Sequence, residues 1–389
     1  MDPFPAPGIR LALAGGGTGG HIVPGLHLLA HLGGGGALED VLWFQTGRAV
    51  EERAMAGVAE RLRPARLERF ALKLEPGGGG APSLTELSLL APPAALRARK
   101  ALSRHRSQVL VGLGGYTSVP AVLAARSLGI PVLLLEINAA PGRATRWLAP
   151  AATRVLHAWP ATVPAAGEHD PQTSRHRWTG PPLAPEFLRG APDAARRAAS
   201  RAAEGFDPER PLVVVLGGSQ GARALNRFVQ RHSRVLLERG VQLLHQVGPG
   251  RLQEAALPHE DYRAVEYLSE VHRALCAATL VVCRGGASTL AEVGALRRPA
   301  WVVPYPHHAD RHQEKNARQL GRGARIVPEE RLDAELAREL ARCAGPAGEV
   351  EREAMSAALE GSVPIDGALQ VWEEILVQRK LRLESAARA

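Results

Sequence analysis

Four short stretches place glycine, serine, threonine and histidine where an apolar run gives way to a helical one. The first is Gly15-Gly16-Gly17-Thr18-Gly19-Gly20-His21, between Ile9–Ala14 and the helical Ile22–His31. The second, Gly112-Leu113-Gly114-Gly115-Tyr116-Thr117-Ser118, precedes a helix from Val119. Gly217-Gly218-Ser219-Gln220-Gly221 follows the run Leu212–Leu216, and Arg284-Gly285-Gly286-Ala287-Ser288-Thr289 follows Leu280–Cys283. Glycine at such a junction lets backbone N–H groups approach a phosphate, while the helix N-terminus adds partial positive charge. One such loop serves equally well as a tight turn. Four of them, two in each half of the chain, point to phosphate-bearing ligands on both sides.

Neighbouring residues narrow the chemistry. The Walker lysine is missing, which excludes a P-loop NTPase. The run Val41–Gln45 ends in Gln45 and Thr46 where a dinucleotide fold wants an acid, which disfavours NAD. Glu292 lies four residues beyond Ser288, about one helical turn on, where a carboxylate accepts hydrogen bonds from a ribose diol or simply complements a helix N-terminus. Asp310-Arg311-His312-Gln313-Glu314-Lys315-Asn316 opens a further helix with a dense polar set suited to sugar hydroxyls. Cys276, Cys283 and Cys343 have no disulfide-framework or zinc spacing, so neither a structural metal nor an oxidising compartment is expected.

The elements that position these loops follow from the pattern around them. Apolar runs alternate with amphipathic stretches: Ile9–Ala14, Val41–Gln45, Gln108–Val111 and Pro131–Leu135, then Leu212–Leu216, Gln242–Gln246, Leu280–Cys283 and Ala300–Val303. Short Val- and Leu-rich runs separated by helices read as buried parallel strands. A Pro-rich stretch (Pro160, Pro164, Pro171, Pro181, Pro182, Pro185) divides the two sets, so two doubly wound α/β domains facing a cleft are expected, as suits 389 residues. Gly33–Gly36 and Gly77–Gly80 read as loop insertions, and Gly367–Leu381 as a terminal helix. MDPFPAPGIR lacks the pattern of a signal peptide, and no run reaches roughly eighteen apolar residues. The formal charge of +9 favours an anionic partner, and aromatic residues at 4% leave no stacking platform for nucleic acid. Arg97, Arg99, Lys100, Arg104 and Arg106 cluster beside Leu87–Leu90, with no acid between Glu86 and Glu136, a pattern that suits a membrane-surface helix and equally a solvated helix face.

Together GGGTGGHIVPG, GLGGYTSVPAVLAARSLGIPVLLLEINAAPGRATRWLA, VVVLGGSQGARALN and VVCRGGASTLAEVGALRRPAWVVPYP…DRHQEKNA resemble the bacterial MurG family, within glycosyltransferase family 28, in order over residues 9 to 330. The resemblance implies a GT-B fold of two Rossmann-like domains. It assigns residues 1–160 to the acceptor and the membrane, 161–188 to a linker, 189–363 to the UDP-sugar, and 364–389 to a helix returning to the first domain. The implied reaction is metal-independent, inverting transfer from UDP-N-acetylglucosamine to the 4-hydroxyl of N-acetylmuramic acid in lipid I, giving lipid II, with no cofactor. Implied partners are both substrates, the anionic cytoplasmic face of the inner membrane and cell-wall synthesis proteins; nucleic acid is not among them.

By matching position, Thr18, Gly19, Gly20, Tyr116, Thr117, Ser118 and Asn138 meet the acceptor, and His21 is the expected general base or pyrophosphate ligand. Ser219, Gln220, Leu268, Ser288, Thr289, Glu292, His312 and Gln313 meet the donor, with Leu268 against uracil and Glu292 on the ribose. Two departures stand out. The family's HEQN is Leu135-Glu136-Ile137-Asn138, and its GNPVR is Gly180-Pro181-Pro182-Leu183-Ala184, which leaves open whether Arg284 or Arg189 replaces the missing cation. The alternatives are another GT-B enzyme, such as a lipid glycosyltransferase or a UDP-N-acetylglucosamine 2-epimerase, and a non-catalytic nucleotide-sugar-binding protein.

Overall fold

The computed structural model describes residues 8–17, 19–32, 37–74, 82–164, 174–256, 258–308 and 310–388. Thr18, Pro171 and the glycine insertions Gly33–Gly36 and Gly77–Gly80 lie outside the described residues. The chain forms two compact units, one running to Pro185 and resuming at Asp366, the other spanning Glu186–Ile365.

In the first unit the strands are β1 (Ile9–Ala14), β2 (Leu38–Gln45), β3 (Arg66–Ala71), β4 (Val109–Gly112), β5 (Val132–Glu136), β6 (Arg154–His157) and β7 (His176–Trp178). They build one parallel sheet in the order β3-β2-β1-β4-β5-β6-β7. Leu11, Leu13, Val109, Val111, Val132 and Leu133 are fully buried because helices cover both faces. The chain winds one way from β1 to β3 and the other way from β4, so the order reverses between β1 and β4. Loops leaving those two strands at their carboxyl ends flank the crevice where open α/β sheets bind ligands.

One face carries the helix Leu84–His105, which starts at a reciprocal cap: Ser83 Oγ accepts from Glu86 N at 3.2 Å and Glu86 Oε2 from Ser83 N at 2.8 Å. Its buried Ala94, Ala98, Ala101 and Leu102 recur at helical spacing and pack with Val122, Ala125 and Leu148 over the sheet. The terminal helix Gly367–Arg388 also belongs to this unit. Its buried Trp372 donates to Leu28 O at 2.8 Å, Glu374 accepts from Arg154 at 3.3 Å and from Arg177 at 3.0 Å, and Arg382 donates to Ser107 O at 2.7 Å.

In the second unit the strands are β8 (Leu212–Leu216), β9 (Gln242–Gln246), β10 (Tyr262–Val265), β11 (Leu280–Cys283), β12 (Ala300–Val302) and β13 (Ala324–Ile326). Their order, β10-β9-β8-β11-β12-β13, repeats the winding of the first sheet, with the reversal between β8 and β11. The core gathers Val213, Leu225, Phe228, Leu243, Trp301 and Leu340.

Strand limits differ from the sequence reading in instructive ways. β2 begins at Leu38, not Val41, because Asp40 lies in register with Arg66 and extends the ladder through polar residues. β3, β6, β7, β10 and β13 were not expected. Four of these five are the sheet edges, where pairing on one side only admits charged residues such as Arg66, Arg177, Arg263 and Arg325 and erases the apolar run. The Pro-rich stretch read as linker contributes β7 to the first sheet.

Candidate functional site

In the first unit, both glycine loops emerge at the β1/β4 reversal. The Gly15 loop is anchored from below: Gly15 N donates to Phe44 O at 3.2 Å, and Gly17 N donates to Glu51 Oε1 at 2.6 Å. Glu51 is fully buried and also accepts from Thr46 N (3.0 Å), Thr46 Oγ1 (2.8 Å), Gly47 N (2.5 Å) and Arg48 N (3.0 Å). Two backbone donors of this loop are therefore committed inside the protein, which narrows the simple picture of a phosphate cradle.

His21, third residue of the helix Gly19–Ala30, is half-buried and lies over the second loop. A methyl group on Gly115 (φ 72°) would stand 2.9 Å from His21 Nδ1, so only glycine lets the loop and the imidazole approach this closely. Ser118 Oγ ties its own loop down by donating to Ala14 O at 2.9 Å and Gly114 O at 2.8 Å. Thr117 is buried, with no hydrogen-bond partner for its Oγ1 among the described residues. Tyr116 is half-buried.

His21, Gly114, Gly115 and Tyr116 line a cavity of about 290 Å³, together with Asn138, Arg143, Trp147 and the apolar Leu87, Val119, Leu135 and Ile137. Glu136 organises its floor. The buried carboxylate accepts from Asn138 N (3.0 Å), Gly142 N (2.9 Å) and Thr145 Oγ1 (2.6 Å), fixing the turn after β5 and the start of the helix Arg143–Leu148. Asn138 Nδ2 approaches the same carboxylate at 3.4 Å. Thus His21, Tyr116 and Asn138, expected at the acceptor, converge on one cavity, while Ser118 and Gly19 are buried and are not part of its lining.

Glu51, Thr145 and Trp147 were missed by sequence reasoning. Glu51 sits at the third position of the helix Ala49–Ala54, a capping place, but its N-cap residue is Arg48, so the usual Ser or Thr signal is absent.

In the second unit, the expected donor residues leave the carboxyl ends of four strands. Ser219 and Gln220 are exposed in the turn after β8. Leu268 is buried in the loop after β10. Ser288 and Thr289 are half-buried in the first turn of the helix Ala287–Ala295 after β11. Glu292 is buried on that helix, and burial pushes its carboxyl up to about 8. The same burial, with Glu292 nearby, pushes the Cys283 thiol up to about 12.

The loop after β11 is bolted to the helix His312–Arg318. Gly285 N donates to Gln313 Oε1 at 3.2 Å, and Asn316 Nδ2 donates to Gly285 O at 3.0 Å. Gln313 Oε1 also accepts from Tyr305 N at 2.9 Å, so this residue fixes two loops at once. A side chain at Gly285 would meet Gln313 O at 2.2 Å. His312 Nδ1 is held at 2.8 Å by Asp310 and stacks on His308, ring centroids 4.4 Å apart.

Arg284 does not offer a free cation. It pairs with Glu329 at 2.6 Å, donates to Val303 O at 3.1 Å and covers the Tyr305 ring. Arg189 is exposed.

Among the described residues, no group of three or more His, Cys, Asp or Glu is placed to hold a metal. No described helix is long and apolar enough to cross a membrane.

The stripe expected at a membrane surface is reshaped. Leu87 is buried and Leu90 half-buried, Arg97 donates to Leu72 O at 2.5 Å, and Arg104 pairs with Glu68. Leu89 (72%) and, two turns on, Leu96 (71%) stay exposed, as do Arg99, Lys100 and Arg106 and, despite those contacts, Arg97 and Arg104.

Comparison with known proteins gives the following. The N-terminal domain of glycosyltransferase family 28 matches residues 11–157, and the C-terminal domain of that family matches residues 212–363. A Sorangium cellulosum protein is 35% identical over 381 residues, 95% of this chain and 88% of its own; it is named UDP-N-acetylglucosamine–N-acetylmuramyl-(pentapeptide) pyrophosphoryl-undecaprenol N-acetylglucosamine transferase. A Nocardioides protein of the same name is 38% identical over 330 residues, covering 80% of this chain and 82% of its own. Among solved structures, Acinetobacter baumannii MurG superposes with a TM-score of 0.67 at 24% identity, over 94% of this chain and 98% of that one. A UDP-N-acetylglucosamine 2-epimerase reaches 0.60 at 13% identity, covering 96% and 97% of the two chains. At such identities these two structures speak for the fold alone, which is GT-B.

Proposed function

The chain belongs to glycosyltransferase family 28, and from that membership we propose that it moves N-acetylglucosamine from UDP-N-acetylglucosamine to pyrophosphoryl-undecaprenol-linked N-acetylmuramyl-pentapeptide, converting lipid I into lipid II. The observation that carries this is the 35% identity sustained over 381 residues with a relative named for that reaction. The two family 28 domain matches, residues 11–157 and 212–363, include both glycine-loop pairs, which supports reading the acceptor and donor halves together.

The transfer is inverting, goes to the 4-hydroxyl of N-acetylmuramic acid and uses this chain's own residues for acid–base work. The first domain takes the acceptor. His21 removes the proton of the attacking hydroxyl as the anomeric bond to UDP breaks, and the adjoining loops, with Tyr116 and Asn138, position the acceptor diphosphate. The second domain takes the donor. Glu292 accepts from the ribose hydroxyls, Leu268 packs against uracil, and Ser288 and Thr289 sit at a helix N-terminus facing the diphosphate. Ser219, Gln220, His312 and Gln313 complete the donor contacts. Gln313 contributes chiefly by holding the Gly285 and Tyr305 loops in register.

The enzyme attaches peripherally to the anionic inner face of the membrane through its first domain. Leu89 and Leu96 insert shallowly, and Arg99 and Lys100 meet the headgroups.

The deciding experiment incubates purified protein with lipid I and a panel of UDP-sugars. Disaccharide product with UDP-N-acetylglucosamine alone is the expected result. Isomerised UDP-sugar formed without acceptor would replace this reading with an epimerase, and nucleotide-sugar binding without any product would replace it with a sensor.

A further inference from the structure

Beneath the loops of the second unit lies a buried polar network that none of the expected donor contacts uses. His245, on β9, is fully buried, as is Asn226, near the start of the helix Arg223–Leu237. Burying such groups is costly unless every donor meets an acceptor, and here every one does.

The proton positions follow from the partners. Asn226 Nδ2 donates to Val247 O at 3.0 Å and to Glu254 Oε2 at 2.8 Å. Its Oδ1 is therefore the atom that meets His245 Nε2 at 3.1 Å, and Nε2 must carry the hydrogen. His245 Nδ1 is left to accept from the Tyr262 hydroxyl at 3.0 Å, whose oxygen accepts from Ala256 N at 3.1 Å. Burial pushes the imidazole down to about 4, so the ring is neutral at ordinary pH.

The network ends on the segment that supports the Gly217–Gly221 turn. Turn and segment meet backbone to backbone. A methyl group on Gly221 (φ 72°) would stand 2.2 Å from Val247 O. One on Gly248 (φ 98°) would stand 2.5 Å from Gly221 Cα and 2.9 Å from Gln220 C, and one on Gly217 2.9 Å from Gln246 O. With glycine on both sides nothing cushions the contact, so the height of the turn is set by where Gln246–Gly248 lies. Val247 is held from two directions: its N donates to Val265 O at 2.9 Å, and its O accepts from Asn226. Asn226 in turn belongs to the helix that the turn leads into, and His245 fixes which way round its amide faces.

We propose that His245 is a positioning residue for the donor. By holding the Asn226 amide with its NH₂ on Val247 O, it sets the height of the Gly217–Gly221 turn and so of Ser219 and Gln220, which meet the UDP-sugar. The inference rests on the donor reading above. His245 itself is sealed from any ligand and acts only through Asn226.

The test measures UDP-N-acetylglucosamine affinity by calorimetry, and the KM of each substrate, for His245→Gln, His245→Asn and Gln220→Ala. Glutamine puts its amide nitrogen close to the place of Nε2 and keeps the donor to Asn226. Asparagine reaches only as far as Nδ1 and strands Asn226 Oδ1. His245→Asn is expected to raise the donor Kd and KM about tenfold with the acceptor KM unchanged, while His245→Gln stays within about threefold of wild type. A histidine of structural value alone would lower the unfolding temperature of both variants and leave the donor KM where it was, and that result overturns the proposal. Equal damage to donor binding from both variants also overturns it. Unchanged affinity in Gln220→Ala would remove the turn from the donor site, and the reading beneath the proposal with it. A weakened Gln220→Ala beside an unaffected His245→Asn refutes the positioning alone. Should asparagine prevent folding, the wild-type protein still decides. The histidine nitrogen NMR signal that is missing from His245→Gln should be the neutral Nε2–H form near neutral pH and should shift on adding UDP-N-acetylglucosamine; another protonation form, or indifference to the nucleotide, refutes the proposal.

Discussion

Replacing Glu51 by alanine tests whether one buried carboxylate holds the first glycine loop. Its five accepted hydrogen bonds divide by exposure. Gly47 and Arg48 are exposed or half-exposed, so their N–H groups regain water when the carboxylate goes. Gly17 N, Thr46 N and Thr46 Oγ1 are buried and would be stranded. Each stranded donor costs about 1–3 kcal/mol, and such losses add less than fully. The expected destabilisation is about 3–5 kcal/mol, a large part of a domain's stability. Glutamine should rescue little, because its amide NH₂ would face backbone N–H donors on one side. Urea unfolding of the two variants gives the energies, and the acceptor KM of whatever remains folded should rise as the Gly15–Gly17 turn loosens. A loss under about 1 kcal/mol for Glu51→Ala would refute the reasoning, since it would mean water already serves those donors.

Other consequences follow from the same geometry. His21→Ala should lower kcat by about 10²–10⁴-fold with little change in donor affinity, and Gly115→Ala, whose methyl would crowd the imidazole, should lower it in the same direction; a raised acceptor KM with kcat kept would make His21 a binding residue instead. Glu292→Ala should weaken UDP about ten- to a hundredfold by calorimetry, and an unchanged Kd would remove it from the site. Because burial raises the Glu292 carboxyl from 4.5 to about 8, the unfolded chain ionises first, and this group's contribution to stability is lost as pH rises through that window. Ribose hydroxyls that donate to the carboxylate favour its ionised form, so UDP binding near pH 7 should release a proton, measurable in buffers of different ionisation enthalpy and absent in Glu292→Gln. Co-sedimentation with anionic vesicles should fall with added salt, with Arg99→Glu and Lys100→Glu, and with Leu89→Ser; equal binding to neutral vesicles would defeat the electrostatic part.

Much of the architecture could be read from residues alone, and the division is physical. Strands buried on both faces are mostly apolar, and so β1, β2, β4 and β5, and β8, β9, β11 and β12, the inner strands around each reversal, are visible as apolar runs, with β9 also burying Gln242, His245 and Gln246. Glycine loops are equally legible, because close backbone approach admits no other residue. Edge strands β3, β7, β10 and β13 are not, since one-sided pairing lets Arg66 or Arg177 sit in the ladder without penalty. His21 and Glu292 stand out by type and position, yet nothing in their neighbourhood along the chain shows that Gly115 lies against His21 or that Glu292 is buried deeply enough to hold a proton. Glu51 lies thirty-four residues from the loop it anchors, and no local pattern links it to Gly17. The cavity likewise combines Leu87, Val119, Ile137 and Trp147 from separate elements. Local periodicity, turn chemistry and motif spacing are properties of adjacent residues, so the chain by itself determined the class of fold, the winding units and the loops that carry the chemistry. Which side chains face one another across those loops, which carboxylates are desolvated and where hydrocarbon lines a site depend on contacts between residues far apart in sequence, and only the packed tertiary structure decides them.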